Sequence, residues 1–186
     1  MNELYNSCEL CPRKCHINRN INKGICSNTS TLKVARSALH YFEEPSISGT
    51  NGSGTIFFSG CNLKCCYCQN KEISNDNFGI NISVERLSEL MLELQAKKAS
   101  NINLVTPTHF VPSIIEAIKL ARKKGLSIPI VYNTSGYESV ATIKQLAGYV
   151  DIYLTDFKYF DNKLGEDLSK VKNYFEIASL ALEEMY

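Results

Sequence analysis

All eight cysteines of this 186-residue chain lie before residue 69, and the rest of the chain contains none. A disulfide framework needs an oxidising compartment, but the first five residues lack the basic and apolar blocks of a secretion signal. We therefore expect a cytoplasmic protein whose cysteines stay reduced. Thiolates are soft donors that suit zinc and iron–sulfur clusters, so the density of cysteines predicts metal binding.

The charge of the chain limits the classes of partner that we expect it to bind. The formal net charge is +1, and the Lys and Arg residues are scattered along the chain rather than clustered. Nucleic acids and anionic membranes bind clustered cations, which replace their counterions. No stretch approaches the roughly 20 apolar residues of a membrane-spanning helix. We expect neither a nucleic acid nor a membrane as a partner.

The first cysteine group has the spacing C-x2-C-x3-C-x10-C and comprises Cys8, Cys11, Cys15 and Cys26. Four thiolates complete the coordination of a structural zinc, and they also hold a four-iron cluster. The ligands alone do not separate the two metals, although we slightly favour a second cluster. Either metal would supply folding energy that an arm of about 30 residues lacks. We expect residues 1–50 to form a cysteine-rich metal-binding arm, either structural or an electron relay.

The second cysteine group has the spacing C-x3-C-x2-C and comprises Cys61, Cys65 and Cys68, with Tyr67 just before the last ligand. Three ligands leave one coordination position open, which is typical of a reactive centre rather than a structural one. The group follows a β-branched and aromatic run at 55–58 that predicts a buried strand. Ligands bind at the C-terminal ends of such strands in α/β folds. For Cys66, inside the group, we expect a buried, inert thiol.

The remainder of the chain alternates predicted strands and helices. Further strands are predicted at 103–105, 128–132 and 152–154. Helices are predicted at 84–98, 111–124, 139–146 and 173–185, with Ser83 as N-cap of the first. This alternation indicates βα crossovers and a parallel sheet. The fold class is therefore α/β, with four βα units in a domain at 51–186. A closed eight-unit barrel is excluded, because it needs about 250 residues.

Three segments together resemble a known family: residues 48–70 with their C-x3-C-x-aromatic-C spacing, residues 103–110 and residues 151–159. The spacing resembles the signature of radical S-adenosylmethionine (radical SAM) enzymes, and the three segments are similar to the branch of pyruvate formate-lyase-activating enzymes. The resemblance implies a partial (β/α) barrel. Members of that branch have six units, so four units indicate a truncated chain with an exposed edge on its last strand. A complete natural protein of four units is the alternative.

The resemblance implies an oxidoreductase that works under anaerobic conditions. Cys61, Cys65 and Cys68 would hold a 4Fe-4S cluster, and its free iron would bind S-adenosylmethionine. One electron from reduced ferredoxin or flavodoxin would split that cofactor into methionine and a 5′-deoxyadenosyl radical. The radical would abstract hydrogen from a glycine of a glycyl-radical enzyme. Two alternatives stay open: a radical SAM enzyme with another substrate, and a non-catalytic module that binds iron–sulfur or zinc.

The resemblance also implies cofactor contacts in the loops that follow the strands. Thr106 and Thr108 occupy the place of a Gly-Gly-Glu motif that binds the amino group of the cofactor, but their hydroxyls lack the charge of that carboxylate. In the next two loops, Asn133 and Thr134 resemble a Thr-Asn-Gly element, and Asp156 and Lys158 resemble an Asp-x-Lys element. Asp156 and Lys158 would lie beside the cofactor carboxylate and, in some members, a monovalent cation. Tyr67 would lie near the adenine.

Several of these residues have an ordinary structural alternative. For Asp156 and Lys158 the less favoured alternative is an exposed turn pair, which means little for function. Tyr67 is alternatively a hydrophobic anchor for its loop. His109, next to Phe110, is as consistent with a packed, hydrogen-bonded histidine as with a functional one.

Overall fold

The computed structural model describes residues 3–186, which form one sheet of six strands. The strands are β1 (Lys33–His40), β2 (Ser53–Phe58), β3 (Ile80–Asn81), β4 (Ile102–Val105), β5 (Ile130–Thr134) and β6 (Ile152–Thr155). Their order across the sheet is β3-β1-β2-β4-β5-β6. Neighbouring strands from β2 to β6 pair in parallel. The predicted α/β fold with four parallel strands is confirmed.

Helices connect and cover the strands. They are α1 (Pro45–Ser48), α2 (Lys71–Ser74), α3 (Val84–Ala96), α4 (Val111–Lys123), α5 (Val140–Leu146), α6 (Asn162–Ser169) and α7 (Tyr174–Met185). Two 3₁₀ turns, Glu3–Tyr5 and Thr108–Phe110, complete the elements. All four predicted helices are present, each within two residues of its predicted ends. Helix α6 was not predicted.

The predicted start of α3 is confirmed in detail. The hydroxyl of Ser83 accepts a hydrogen bond from the backbone N–H of Arg86 at 3.1 Å, which caps the first turn. Leu87, Met91 and Leu94, at helical spacing, are all buried. The apolar stripe of α3 therefore faces the sheet, as its periodicity predicts.

The main hydrophobic core lies between the sheet and the helices α3 and α4. Ile56, Leu104 and Ile130 from three neighbouring strands contribute to it, and Ile114 and Ile118 contribute from α4. Each of these side chains is fully shielded from solvent. Burial of one such side chain stabilises the fold by about 1.5–3 kcal/mol. This rigid layer fixes the strand ends from which the site loops begin.

Strand β1 was not predicted, and it lies inside residues 1–50, the segment expected to form the metal-binding arm. It pairs antiparallel with β2 on one side and with β3 on the other. Its Lys33, Arg36 and Ser37 interrupt the apolar alternation that identifies a strand, so periodicity did not reveal it. Residues 33–40 thus belong to the sheet, and the division of the chain at residue 50 stays a prediction.

Strand β6 forms one edge of the sheet. Strand β5 begins two residues later than predicted, at Ile130. Pro129 precedes it and has no N–H for a sheet hydrogen bond. Among the helices of residues 3–186, none is long and apolar enough to cross a membrane.

Candidate active site

The cluster loop, residues 59–70, begins directly after β2 at the C-terminal end of the parallel strands. Gly60 makes this turn with a φ of 79°. A Cβ on Gly60 would lie 2.1 Å from the side-chain nitrogen of Asn28 and 2.2 Å from the carbonyl oxygen of Cys26. Only glycine fits this position, because both the backbone angle and the close contact exclude a side chain.

Each of the three predicted ligand sulfurs accepts a hydrogen bond. The backbone N–H of Leu63 lies 3.4 Å from the sulfur of Cys61. The hydroxyl of Ser169 lies 2.8 Å from the sulfur of Cys65, and the hydroxyl of Ser74 lies 3.1 Å from that of Cys68. Donors aimed at sulfur stabilise thiolates and tune the potential of iron–sulfur clusters. The donor set around the loop therefore fits a cluster held by three cysteines.

The three loop thiols also lie close to one another. Burial raises the pKa of Cys61 to about 12, and the neighbouring Cys65 and Cys68 raise it further, against the lowering effect of the Leu63 N–H. Without a metal, Cys61 is thus a neutral thiol at neutral pH, and a binding metal must displace its proton. Within residues 3–186, no three His, Cys, Asp or Glu side chains form a group that could hold a single metal ion as they stand.

The C-terminal end of α6 supports the cluster loop. The backbone N–H groups of Lys64 and Cys66 donate to the carbonyls of Ser169 and Leu168, at 3.0 and 2.8 Å. These bonds satisfy carbonyls that the helix leaves unpaired at its end. Cys66 is exposed, so the prediction of a buried thiol was wrong. Its N–H is turned toward α6, and its side chain reaches solvent.

Arg13 joins the N-terminal part of the chain to the same loop. Its Nε donates to the carbonyl of Asn62 at 2.9 Å. Its two terminal nitrogens donate to the carbonyls of Lys170 and Ser169. One guanidinium thus holds the loop and the end of α6 together.

A chain of three hydroxyls leads from the surface to Cys65. The hydroxyls of Tyr67 and Tyr159 share a hydrogen bond, and that of Tyr159 lies 2.5 Å from the hydroxyl of Ser169. Ser169 in turn donates to Cys65. Tyr67 is half exposed, whereas Tyr159 and Ser169 are buried. Burial raises the pKa of Tyr159, so its hydroxyl stays protonated and can donate along this chain.

Two predicted cofactor residues, Thr108 and Thr134, both contact a buried carboxyl group. The Thr108 hydroxyl donates to Glu138 at 2.5 Å, and the Thr134 hydroxyl donates to the same oxygen. Tyr132 donates to the other oxygen at 3.4 Å. Burial raises the pKa of Glu138 to about 7, although the three hydrogen bonds act in the opposite direction. Direct cofactor contact by Thr108 and Thr134 stays a prediction, and Glu138 is a partner that the sequence did not reveal.

The predicted residues Thr106 and Asn133 lie side by side where β4 and β5 end. The backbone N–H of Thr106 donates to the carbonyl of Asn133 at 3.0 Å. Thr106 has a φ of 57°, a left-handed conformation that β-branched residues rarely adopt. Such strain costs about 1–3 kcal/mol and is concentrated at functional sites. Both side chains remain partly accessible at this edge of the sheet.

The predicted pair Asp156 and Lys158 follows β6. The ammonium group of Lys158 lies 2.7 Å from a carboxylate oxygen of Asp156. The Asp156 side chain is 64% exposed and that of Lys158 is 25% exposed, so this pair contributes little to stability. The hydroxyl of Tyr174 accepts from the Lys158 N–H at 2.8 Å and donates to the carbonyl of Ser135 at 2.5 Å. Tyr174 thereby connects the loops after β5 and β6.

His109 is a packed residue in this structure. Its Nε2 lies 2.8 Å from the carbonyl oxygen of Ser59, and its ring contacts that of Phe110. Burial lowers the pKa of His109 to about 3, and Arg19 lowers it further. The imidazole is therefore neutral and donates to the first residue of the cluster loop. The structural alternative for His109 is the one that its surroundings favour.

The four cysteines of the N-terminal group lie near one another in the cysteine arm, residues 3–32. Burial raises the pKa of Cys11 to about 12, with further increases from Cys26 and Cys15. Burial likewise raises the pKa of Cys26, and Cys8 and Cys15 add to this effect. A Cβ on Gly24 would lie 3.3 Å from the sulfur of Cys26 and 3.8 Å from that of Cys15, so these two predicted ligands line the same point of the arm.

Residues 55–185 match the family model of the Radical SAM superfamily, which covers the parallel strands and the cluster loop. The chain belongs to the radical SAM superfamily. A 4Fe-4S cluster and S-adenosylmethionine are the cofactors that this membership implies. That Cys61, Cys65 and Cys68 are the ligands of that cluster stays a prediction.

Two curated proteins are similar to this radical SAM chain. An uncharacterized protein of Methanocaldococcus jannaschii is 36% identical over 182 residues, which are 94% of this chain and 52% of that protein. The pyruvate formate-lyase-activating enzyme of Clostridium pasteurianum is 25% identical over 124 residues, which are 62% of this chain and 50% of that enzyme. The chain thus spans about half the length of each relative.

Proposed function

We propose that Cys61, Cys65 and Cys68 hold the 4Fe-4S cluster of a radical SAM enzyme. The observation that carries this proposal is the set of donors around the loop, one for each sulfur, at the C-terminal end of the sheet. A reduced cluster of this kind supplies the electron that splits S-adenosylmethionine into methionine and a 5′-deoxyadenosyl radical. The chain itself holds the ligand sulfurs in place and orients the cofactor.

The cofactor-orienting residues proposed are those at the ends of the parallel strands. Tyr67, half exposed beside the ligands, is suited to contact the adenine. The partly accessible Asn133 and Thr106 offer polar groups to the methionine end. Lys158 offers an ammonium group to its carboxylate, and Asp156 could hold a monovalent cation there. Thr108 and Thr134 act on this edge through their hydrogen bonds to Glu138.

For the substrate, we propose a glycine in a glycyl-radical enzyme. Support comes from the resemblance of the cluster loop and the strand ends to activating enzymes, and from the similarity to the activating enzyme of C. pasteurianum. Reduced ferredoxin or flavodoxin is the proposed electron donor, and an oxygen-poor cytoplasm is the proposed setting. A radical SAM reaction on another substrate and a non-catalytic metal module are the competing functions.

The first experiment compares the wild-type chain with Cys65→Ala. Both are reconstituted anaerobically with iron and sulfide and then given dithionite and S-adenosylmethionine. We expect 5′-deoxyadenosine from the wild type and none from Cys65→Ala. Cys66→Ala is the matched control, because Cys66 is exposed and has no ligand role, and it should retain product formation. Absence of 5′-deoxyadenosine from wild-type chain with a full cluster would contradict the proposal.

Two spectroscopic measurements separate the competing functions. If the loop cluster has an open position, S-adenosylmethionine must change the EPR signal of the reduced cluster. An unchanged signal would favour a non-catalytic module with closed centres. For the substrate, incubation with a glycyl-radical enzyme should produce the EPR doublet of a glycyl radical. Formation of 5′-deoxyadenosine without that doublet would favour a different substrate.

A further inference from the structure

Arg19 is a buried cation without an acidic partner among residues 3–186. Only 1% of it is exposed. Its guanidinium donates to the carbonyls of His109 and Thr29, both at 2.6 Å, and to that of Asn28 at 3.2 Å. All three acceptors are neutral, and none of the ion pairs formed in residues 3–186 includes Arg19. A buried charge is costly unless an opposite charge lies nearby.

Cysteine sulfurs also lie near this guanidinium and its stem. A terminal nitrogen of Arg19 lies 3.8 Å from the sulfur of Cys8. A Cβ on Gly24 would lie 3.3 Å from the sulfur of Cys26, 3.8 Å from that of Cys15 and 3.6 Å from the Cδ of Arg19. The absence of a side chain at Gly24 thus leaves a small cradle lined by two sulfurs and the stem of Arg19.

Aromatic rings close the other sides of Arg19. Its guanidinium carbon lies 5.2 Å from the ring centre of Tyr5 and 5.7 Å from that of Phe110. Rings offer a cation some attraction through their faces, but they carry no net charge. Of the groups beside Arg19, the cysteine thiols are the ones that metal binding would make negative.

We propose that Cys8, Cys11, Cys15 and Cys26 form a second, closed metal centre whose negative charge is balanced by Arg19. Four thiolates around a zinc ion, or around a four-iron cluster, carry a net negative charge. Metal binding releases the thiol protons, which produces this charge beside the guanidinium. Among the described residues, no three such side chains are gathered around the position of one ion, which does not fit a single zinc. The ligands of a cluster bind separate irons and stand further apart, so the proposed centre is an iron–sulfur cluster.

The centre can be tested without the S-adenosylmethionine cluster. Cys61→Ala, Cys65→Ala and Cys68→Ala are combined in the full chain, which is then reconstituted anaerobically with iron, sulfide and zinc. We expect one iron–sulfur cluster per chain, with its own EPR signal. A folded triple variant that binds no cluster, or that binds zinc in its place, would overturn the proposal, whatever the wild type does with S-adenosylmethionine.

A second variant decides the matter if the triple variant does not fold. Cys11→Ala with Cys26→Ala, in a chain with an intact cluster loop, should lose the metal of one centre relative to the wild type. Cys66→Ala is the control and should lose none. Equal metal content in the double variant and the wild type would overturn the proposal.

The charge role of Arg19 has its own readout, the rate at which a chelator removes the metal from the N-terminal centre. Arg19→Met should release it at least about tenfold faster, because a hydrogen bond and a charge beside the thiolates are lost. Arg19→Lys, which keeps the charge, should release it more slowly than Arg19→Met. If all three chains release metal at the same rate, Arg19 does not balance the centre.

Discussion

The hydroxyl oxygen of Ser169 lies 2.8 Å from the sulfur of Cys65, although 104 positions separate the two residues in the sequence. The contact exists because the cluster loop rests on the end of α6 through the backbone bonds of Lys64 and Cys66. Ser169 is fully buried, so water does not compete with it for the sulfur. A helix outside the ligand motif therefore places a donor on one of the proposed ligands.

We expect Ser169→Ala to lower the midpoint potential of the loop cluster. A hydrogen bond to sulfur favours the reduced, more negative state, and its loss of about 1 kcal/mol corresponds to tens of millivolts for one electron. The measurement is an EPR-monitored redox titration. Ser88→Ala, a buried serine on α3, is the control and should leave the potential unchanged. An unchanged or higher potential in Ser169→Ala would contradict the expectation.

Tyr159→Phe should lower the same potential by a smaller amount. Ser169 still donates to Cys65 in this variant, but the hydroxyl that donates to Ser169 is gone, and chains of hydrogen bonds strengthen one another. The packing of the ring against Tyr174 is retained. Tyr149→Phe also removes one hydroxyl, from a ring that lies under the Lys119 ammonium group, and serves as control. A shift as large as that of Ser169→Ala, or no shift, would contradict this indirect role of Tyr159.

Gly60→Ala should destabilise the chain more than Gly148→Ala. Both glycines have a left-handed φ, 79° and 76°. A Cβ on Gly148 meets nothing within 4 Å, whereas one on Gly60 meets Asn28 and Cys26 at little more than 2 Å. Gly148→Ala thus measures only the cost of holding alanine in a left-handed backbone conformation, about 1 kcal/mol. In urea unfolding, we expect Gly60→Ala to lose at least about twice that amount, together with cluster binding. Equal losses of unfolding free energy would show that the cysteine arm moves aside to accommodate the added methyl group.

Glu138→Gln should change how stability depends on pH. The pKa of Glu138 in the folded chain is about 7, above the ordinary 4.5. Between these two pH values the folded state therefore holds a proton that the unfolded state releases. The resulting contribution of Glu138 to the free energy of unfolding is fully present below pH 4.5 and is lost as pH rises through about 7. Relative to Glu138→Gln, the wild type should lose up to about 3 kcal/mol across that window. Urea unfolding of both chains at several pH values, with equal metal content, measures it. A difference in unfolding free energy between the two chains that does not change with pH would contradict the raised pKa of Glu138.

Asn28→Ala should weaken iron retention in the cluster loop. The Asn28 amide donates to the carbonyls of Cys26 and Ser59, at 3.1 and 2.7 Å, and so joins the cysteine arm to the start of the loop. Asn101→Ala, which removes another buried amide away from the arm, is the control. The measurement is the rate of iron loss to a chelator in each variant. Equal rates would mean that the loop does not depend on this connection.

Periodicity was sufficient to predict most of the sheet and its covering helices. The stripe of Leu87, Met91 and Leu94 repeats at helical spacing, and its burial follows directly. Short apolar runs bounded by polar residues identified β2, β4 and β6. These signals are local, so they can be read without knowing which residues meet in space.

The residues that the sequence did not reveal depend on long-range contacts. Glu138 becomes notable only when Thr108 and Thr134, from two different loops, both point to it. Helix α6 contains Gly165 and few apolar residues, so its pattern is weak. The role of its last residue, Ser169, arises only when the helix meets the cluster loop. Cysteine spacing, in contrast, is local and was enough to propose the ligands.

The bond from Arg13 to the carbonyl of Lys170 spans 157 positions, nearly the whole chain. During synthesis, the cysteine arm leaves the ribosome well before the end of α6. The loop that carries Cys61, Cys65 and Cys68 therefore has one of its supports only after residue 170 has emerged. Contacts of such separation form late and slowly in folding. Iron delivery to this loop is consequently expected to follow the emergence of α6 rather than that of the ligand cysteines.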